Sequence, residues 1–404
     1  MNLCSIRTGC IPSHMTKGRA AGALLALMLL AGNAHAYPRA DCIGDEGGTV
    51  ITPGAVLQNA VNAANGATVV LCQKAQFEVS GSILLPAYTK LQTRALPTAD
   101  AFKARIYYKP GSGLQQGRAV LDANGRSGVE LRNLIVDGSR SSVNVERTTG
   151  NATKWRALIA ISGQNSLMDR VRAINTIGGA TIAAADDVNC SNLRITNSFI
   201  GYSGFLESEQ WADGIGLYCS NAYIANNELR DVTDGAITFY GGTNTIIEGN
   251  WVANSGRSAI SGIIAAGAQK RTFGTAFANF NGSVFRNNLI QTAGGQRITI
   301  ALAAGSRMWC DAVQNNPDCE MVSGLSISNN QGSGTYGYGI VVAGMSNATV
   351  AGNNLIMTPW NNPAWTGPRA HCAGVNWYVV ESGSGGSLQP GYTLRPTVGG
   401  CAWF

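Results

Sequence analysis

"IANNELRDVTDGAITFYGGTNTIIEGNWV", residues 224–252, carries the same phrase twice. An isoleucine is followed three residues later by an asparagine, and two residues after that by an aliphatic residue, as in Ile224, Asn227 and Leu229. The phrase returns after 23 residues and then recurs, once in degenerate form, so that it places asparagines at Asn250, Asn288, Asn330 and Asn353. A repeat of about 20–25 residues made of short apolar strands, without helical periodicity, is typical of a parallel β-helix.

The composition agrees with an all-β solenoid. Only 13% of the residues are charged, and the chain of 404 residues contains 51 glycines. Such a chain, with many short apolar runs between turn residues, predicts strands rather than helices. We expect one single-stranded right-handed parallel β-helix of about ten coils, in which the five asparagines stack in one turn and bond amide to amide.

The chain begins with a predicted secretory signal peptide. Lys17 and Arg19 precede an apolar run, residues 20–31, and Ala34-His35-Ala36 is a small-x-small cleavage site. We expect residues 1–36 to be removed and residues 37–404 to form one β-helix domain, secreted or periplasmic, with its repeat core at about 110–358. A short amphipathic helix, Pro53–Asn65, and a C-terminal segment at about 359–404 are predicted to cap the two ends. No apolar run is long enough to predict a membrane span.

Charge and cysteine content exclude several classes of function. The formal charge is +6, and it falls to +3 when the three cations of residues 1–36 are removed. This mild excess does not favour nucleic acid but is compatible with an anionic polysaccharide. His371 is the only histidine after residue 36, which argues against a zinc site or a Ser-His-Asp mechanism. Eight cysteines in an exported chain predict disulfides, and we favour neighbour pairs, namely Cys42–Cys72, Cys190–Cys219, Cys310–Cys319 and Cys372–Cys401.

A second short strand precedes each asparagine phrase, and we call these the front strands. Four long segments interrupt the repeat on either side of them: Gly138–Arg156, Gly201–Ala212, Gln269–Gly282 and Ser306–Ser323. Long loops on both sides of one flat sheet would wall in a groove, and function tends to lie on such loops.

Two aspartates stand at the start of front strands in consecutive coils. Asp213 lies two residues before Ile215, and Asp234 lies three residues before Ile237. Strict alternation directs Asp234 outward and Asp213 inward, unless a bend at the start of the strand releases it. Two close carboxylates repel, so that one pKa rises, which suits a general acid and base at a glycosidic bond. The structural alternative is an Asp-Gly turn.

This layout resembles the polygalacturonase family of right-handed β-helix glycosidases, within the pectate-lyase-like superfamily. That family carries NTD, DD, GHG and RIK in successive coils, and here Ala212-Asp213, Asp234-Gly235, Gly256-Arg257-Ser258 and Arg297-Ile298-Thr299 stand at those places. The resemblance implies that Asp234 donates a proton, that Asp213 activates water and that Arg297 binds substrate. The second aspartate, the histidine and the lysine of the family pattern are replaced by Gly235, Arg257 and Thr299.

Cations and aromatic residues complete the predicted site. Arg257 is a candidate catalytic residue, and the candidate substrate-binding residues are Arg297, Lys270, Arg271, Trp211, Tyr218 and Tyr240. Arginine and lysine suit a sugar carboxylate or sulfate, while alternation places Tyr218 and Tyr240 outward on consecutive coils as sugar platforms. Solvated surface cations and a plain aromatic ladder are the structural alternatives.

Three functions remain open at this point. Hydrolysis of a polysaccharide by the paired aspartates is preferred, and it needs no cofactor and no metal. The first alternative is β-elimination on a uronate-containing polymer, with an arginine or lysine base and with calcium as the cofactor. The second is a carbohydrate-binding β-helix without catalysis, since a fold alone does not establish activity.

Overall fold

The structure is a computed structural model, and it describes residues 41–109, 119–140, 157–176, 178–185, 189–204, 211–267, 279–308, 321–359, 376–381, 384–391 and 393–395. These residues form one α-helix, α1 (Gly54–Ala64), two short 3-10 helices (Asp100–Phe102 and Ser306–Met308) and 32 strands. The strands are β1 (Ile51–Pro53), β2 (Thr68–Leu71), β3 (Gln76–Val79), β4 (Ile83–Leu84), β5 (Lys90–Thr93), β6 (Ala104–Tyr108), β7 (Ala119–Asp122), β8 (Glu130–Arg132), β9 (Leu134–Asp137), β10 (Ala157–Ala160), β11 (Leu167–Asp169), β12 (Arg172–Ile174), β13 (Ala180–Ala184), β14 (Arg194–Thr196), β15 (Phe199–Ser203), β16 (Asp213–Tyr218), β17 (Tyr223–Ala225), β18 (Glu228–Val232), β19 (Gly235–Gly241), β20 (Ile246–Glu248), β21 (Trp251–Asn254), β22 (Ala259–Ala265), β23 (Asn279–Arg286), β24 (Leu289–Thr292), β25 (Arg297–Ala304), β26 (Val322–Ser328), β27 (Gln331–Val342), β28 (Met345–Ala351), β29 (Asn354–Pro359), β30 (Asn376–Glu381), β31 (Gly386–Leu388) and β32 (Thr393–Arg395).

The strands stack in three parallel ladders, one strand of each ladder per coil, except that the long strand β27 contributes to both the front and the third ladder. The front ladder runs β4, β7, β10, β13, β16, β19, β22, β25, β27, β30 and β32. The second ladder is an eleven-stranded sheet of β2, β5, β8, β11, β14, β17, β20, β23, β26, β28 and β31. The third ladder runs β1, β3, β6, β9, β12, β15, β18, β21, β24, β27 and β29. The chain is therefore a right-handed parallel β-helix, as the repeat predicts.

The ladders extend beyond the predicted repeat core. Strands from β1 onward join the same ladders well before residue 110, and β30 to β32 continue them after residue 358. Eleven strands in the second ladder exceed the predicted ten coils by one. The coils at the N-terminal end lack the asparagine phrase, so the sequence repeat did not reveal them.

The helix α1 lies within the segment predicted to be helical. It follows Pro53, buries Leu57 and Val61, and ends at Asn65, whose left-handed conformation (φ 44°) lets its N–H donate to the Val61 carbonyl. Its role as a cap, the signal peptide and the C-terminal cap stay predictions. Residues 1–36 lie outside the described residues. No helix formed by the described residues is long and apolar enough to cross a membrane.

The asparagine ladder is confirmed. Each side-chain amide nitrogen donates to the amide oxygen of the next coil, from Asn227 through Asn250, Asn288 and Asn330 to Asn353, over 2.8–3.0 Å. The nitrogen of each also bonds a backbone carbonyl, and each oxygen from Asn250 onward accepts the backbone N–H of the ladder residue in the preceding coil. The residues before them, Asn226, Gly249, Asn287, Asn329 and Gly352, all have positive φ, so that the chain turns there. This column of bonded amides fixes the register between coils.

Two of the four predicted disulfides are confirmed. Cys42 is bonded to Cys72, and Cys190 to Cys219. The pairs Cys310–Cys319 and Cys372–Cys401 lie outside the described residues and stay predictions. The groove walls also stay a prediction for the most part, because large parts of the four long segments lie outside the described residues.

Candidate functional site

The front strands bend near their first residues, and this bend decides where Asp213 points. A Cβ placed on Gly214 would lie 3.0 Å from Leu229 and 3.3 Å from Val232, both core residues, so position 214 faces inward. Ile215 is also in the core. Two successive inward positions break the alternation and leave Asp213 on the outer side of the strand. Strict alternation alone would direct Asp213 inward; the bend left open as the alternative turns it to the outer side, where its side chain is nevertheless buried.

The same doublet recurs along the front ladder. Ala236 and Ile237 both belong to the core, and so do Ala301 and Leu302. In the coil between them, a Cβ on Gly262 would lie 3.3 Å from the core residue Ile290. Because the bend is stacked coil on coil, the outer residues before it, such as Asp213, form one column, and the outer residues after it, such as Thr238, form a second column. The Thr238 side chain reaches across to Asp213 in the first column.

Asp213 is buried and holds three hydrogen bonds. Its Oδ1 accepts from the Thr238 hydroxyl at 2.6 Å and from the Gly235 N–H at 3.1 Å, and its Oδ2 accepts from the Tyr240 hydroxyl at 3.0 Å. Burial disfavours the ionised carboxyl and raises the pKa of Asp213 to about 6, although the three donors act in the opposite direction. Asp213 thus changes its charge close to neutral pH.

Asp234 stands one residue out of step with Asp213. Ile215 pairs with Ile237, so Asp213 lies beside Gly235, while the Asp234 N–H donates to the Ala212 carbonyl at 3.2 Å. Parallel strands are about 4.8 Å apart, so the two aspartates lie on adjacent coils at the same end of the front strands. Asp234 is half-buried, whereas Asp213 is only 2% exposed. Asp234 is thus the less buried residue of the two, although its Oδ1 is itself buried.

A steric constraint explains why Gly235, and not a second aspartate, follows Asp234. A Cβ at Gly235 would lie 2.0 Å from the Thr238 hydroxyl oxygen and 3.2 Å from Asp213 Oδ1. Any side chain at 235 would therefore displace the hydroxyl that holds Asp213. Thr238 occupies the space that a second carboxylate would need.

The aromatic residues do not form the predicted pair of platforms. Tyr218 is 1% exposed and pairs with Gly241 across a register shift, so it is neither open to solvent nor stacked on Tyr240. Burial raises the pKa of Tyr218. Tyr240 and Trp211 are half-buried and pack against a second apolar cluster, separate from the core. This outer cluster consists of Ile260, Ile264, Ala266, Ile300, Ala303, Tyr338, Val341, Ala343 and Val379.

Two of the candidate site cations, Arg257 and Arg297, are described by the structure, and both lie at the turns that lead into the front strands. Arg257 Nη1 donates to the Gly204 carbonyl at 3.0 Å, two coils earlier, and the backbone N–H of Arg257 donates to Asp231 at 3.2 Å. Arg297 is the first residue of β25, half-buried, with its N–H on the Ser258 hydroxyl at 3.3 Å. Lys270 and Arg271 lie outside the described residues.

Sequence reasoning missed the hydroxyl groups around the bend. Thr238 holds Asp213, and Ser261 Oγ lies 3.2 Å from the place of a Cβ on Gly235. Ser261 and Thr299 are fully buried, and their hydroxyls have no hydrogen-bond partner among the described residues. The available signal was a hydroxyl residue inside an otherwise aliphatic strand. Among the same described residues, no group of three or more His, Cys, Asp and Glu is placed to hold a metal ion.

Comparison with known proteins establishes the fold. No protein-family model matches the chain, and no curated protein sequence matches it significantly. The tailspike protein of E. coli bacteriophage HK620 in complex with a hexasaccharide matches with a TM-score of 0.56 at 14% identity, over 87% of this chain and 61% of that chain. A pentasaccharide complex of that tailspike gives a TM-score of 0.53 at 12% identity, over 87% and 65% of the two chains. Endo-xylogalacturonan hydrolase from Aspergillus tubingensis gives 0.47 at 13% identity, over 86% and 98%. The chain thus spans less than two thirds of the tailspike's length in both complexes.

Proposed function

We propose that this protein is a secreted carbohydrate-active enzyme that cleaves glycosidic bonds of an extracellular polysaccharide by acid–base hydrolysis. The observation that carries the proposal is Asp213, a buried carboxyl held by three donors on the outer side of the front ladder, one coil from the half-buried Asp234. Hydrolysis of a glycoside needs two carboxyl groups in different protonation states. Two carboxyl groups on adjacent coils favour such a difference, because the ionisation of one disfavours the ionisation of the other.

The two aspartates would take different roles. Asp234 donates a proton to the leaving glycosidic oxygen. Burial raises the pKa of Asp213 to about 6; above that pH the carboxyl is ionised and accepts a proton from the attacking water. Arg297, at the start of β25 and two coils beyond Asp234, would bind an anionic group of the sugar.

The substrate class has independent support from the fold. The two tailspike complexes with this fold hold a hexasaccharide and a pentasaccharide. At 12–14% identity this is an analogy of fold, which raises the expectation of an oligosaccharide without identifying the sugar. The mild positive charge of the mature chain fits a neutral or anionic polymer.

Elimination is less well supported than hydrolysis. The Arg257 guanidinium donates to the Gly204 carbonyl, and arginine stays protonated in proteins, so it is a poor base in this setting. A lyase mechanism would leave a conjugated double bond that absorbs ultraviolet light, whereas hydrolysis leaves a saturated new end.

A screen of mixed polysaccharides, read both by new reducing ends and by ultraviolet absorbance, tests the proposal. We expect reducing ends without absorbance, and we expect Asp234→Asn to lose about 100-fold or more in rate. Glu228→Gln, which changes an acid of the same coil on the third ladder, is the matched control and should keep wild-type activity. Ultraviolet absorbance from the wild type, or full activity of Asp234→Asn, would reject the hydrolase. Binding without cleavage would make the protein a lectin.

A further inference from the structure

Tyr240 joins the buried Asp213 to the partly exposed side of the site. Its hydroxyl donates to Asp213 Oδ2 at 3.0 Å, while Thr238 and the Gly235 N–H occupy Oδ1. Asp213 is 2% exposed, and Tyr240 is half-buried. Of the side chains bonded to this carboxyl, Thr238 is fully buried, so Tyr240 is the one with access to solvent.

The ring of Tyr240 is held independently of its hydroxyl. It packs against the outer cluster, in which Ile260 and Ile264 belong to the neighbouring strand β22. A ring that already has an apolar neighbour offers less surface for stacking a sugar, but its hydroxyl is fixed in direction. The geometry therefore favours a chemical role for the hydroxyl over a stacking role for the ring.

We propose that Tyr240 is a catalytic residue whose hydroxyl contacts the attacking water and relays its proton to Asp213. The proposal rests on the hydrolase function proposed above and deepens it. Asp213 then acts through Tyr240 and does not touch the water itself. Thr238 and the Gly235 N–H are positioning groups that keep Oδ2 turned toward the phenol.

The relay balances in atoms and charge. One O–H bond of the water breaks and its proton passes to the Tyr240 oxygen, while the original phenol proton passes to Asp213 Oδ2. The water oxygen forms the new bond to the anomeric carbon as the glycosidic C–O bond breaks. The leaving oxygen takes the proton of Asp234. Asp213 ends neutral and Asp234 ionised, and solvent exchange restores both.

Few ionisable groups surround this phenol. On the described strands packed beside it, β16 contributes Asp213 and Tyr218, and Asp234 immediately precedes β19 itself. Strand β22, on the other side, has the sequence AISGIIA and carries no ionisable side chain, while the outer cluster against which the ring packs contains one, Tyr338. A pH effect traced to Tyr240 therefore reports on this small group.

Tyr240→Phe separates a chemical role of the hydroxyl from a stacking role of the ring, because it keeps the ring and removes only the hydroxyl. The relay predicts a fall in kcat of about 100-fold or more with KM little changed. The acid limb of the residual activity should move to higher pH, because Asp213 loses a donor that stabilises its ionised form. Tyr223→Phe is the matched control: it removes another tyrosine hydroxyl that donates to a carboxylate, Glu248, at 2.6 Å on the second ladder.

A ring-fluorinated tyrosine at position 240 covers the case in which Tyr240→Phe does not fold. It keeps the hydroxyl and lowers the pKa of the phenol, so the relay predicts a displaced pH–rate profile and a platform predicts none. Unchanged activity of Tyr240→Phe, equal losses in Tyr240→Phe and Tyr223→Phe, or an undisplaced profile of the fluorinated protein would each overturn the relay while hydrolysis stands. A wild type that cleaves no polysaccharide would overturn the hydrolase, and the relay with it.

Discussion

At the scale of single residues, the pocket of Asp213 is the most consequential feature of the site. Burial opposes ionisation of the Asp213 carboxyl, and the three hydrogen-bond donors, which favour the ionised form, offset the burial only in part. The result is a carboxyl whose pKa is raised to about 6 from an ordinary value of 3.8. Such a group weakens the fold when it ionises, and this cost is measurable without knowing the substrate.

We predict that Asp213 lowers stability as pH rises from 4 to 6. In this window the folded protein binds more protons than the unfolded chain, so the free energy of unfolding falls with pH and levels off above about 6, by roughly 3 kcal/mol in all. Asp213→Asn should remove this part of the pH dependence in urea unfolding. Asp45 is the opposite case, since the backbone N–H groups of Val50 and Thr49 lower its pKa, and Asp45→Asn should remove stability that increases with pH. An unchanged slope in Asp213→Asn would contradict the burial of an ionisable carboxyl.

Gly235 permits a second prediction at this scale. Gly235→Ala places a Cβ 2.0 Å from the Thr238 hydroxyl oxygen, so Thr238 must move away from Asp213. We expect a loss of about 2 kcal/mol in thermal or urea unfolding, with lower activity. Gly81→Ala is the matched control, because a Cβ at Gly81 meets nothing within 4 Å. Equal stability of the two variants would show that the space at 235 is not restricted.

At the scale of the elements, the asparagine column sets the register between coils. A strand that slips by one residue exchanges its inward and outward faces, and the column prevents this because each amide bonds both the next amide and the backbone. The front strands depend on that register, since the bend that turns Asp213 outward must stack on the bend of the next coil.

We predict that Asn288→Ala costs about 3 kcal/mol of unfolding free energy, because it removes the acceptor of the buried Asn250 backbone N–H and the side-chain donor to the Ile247 carbonyl, together with both amide bonds of the column at this coil. Asn288 is 1% exposed and bonds amides on both sides. Asn354→Ala, an exposed asparagine beside the last member of the column, should cost less than about 0.5 kcal/mol. Urea unfolding measures both. Similar losses for the two would mean that the column contributes little.

At the scale of the whole molecule, the cysteines report on the compartment. Cys42–Cys72 and Cys190–Cys219 are bonded, which fits an oxidising environment. We predict that non-reducing peptide mapping of the exported protein finds Cys310 linked to Cys319 and Cys372 to Cys401, with Tyr37 as the first residue. A free thiol at any of the eight positions would contradict the exported, oxidised state.

Sequence periodicity alone was sufficient for the architecture. The asparagine phrase identified the solenoid, the stacked column and the front strands, because each coil has to bury its apolar residues against the next and therefore repeats them. The inward positions of Ile215, Leu217, Ile237 and Phe239 followed from alternation, and all four are fully buried. Two neighbour disulfides followed from cysteine spacing.

Only the tertiary structure decided the site. Alternation directed Asp213 inward, unless a bend released it, and made Tyr218 an exposed platform, whereas a bend with two inward residues turns Asp213 outward and Tyr218 is buried. Thr238, Gly235 and Tyr240 meet Asp213 from the neighbouring coil, more than 20 residues along the chain. The physical reason is that periodicity encodes what a strand buries in the common core, while contacts on the outer side depend on local bends and on the strand beside it.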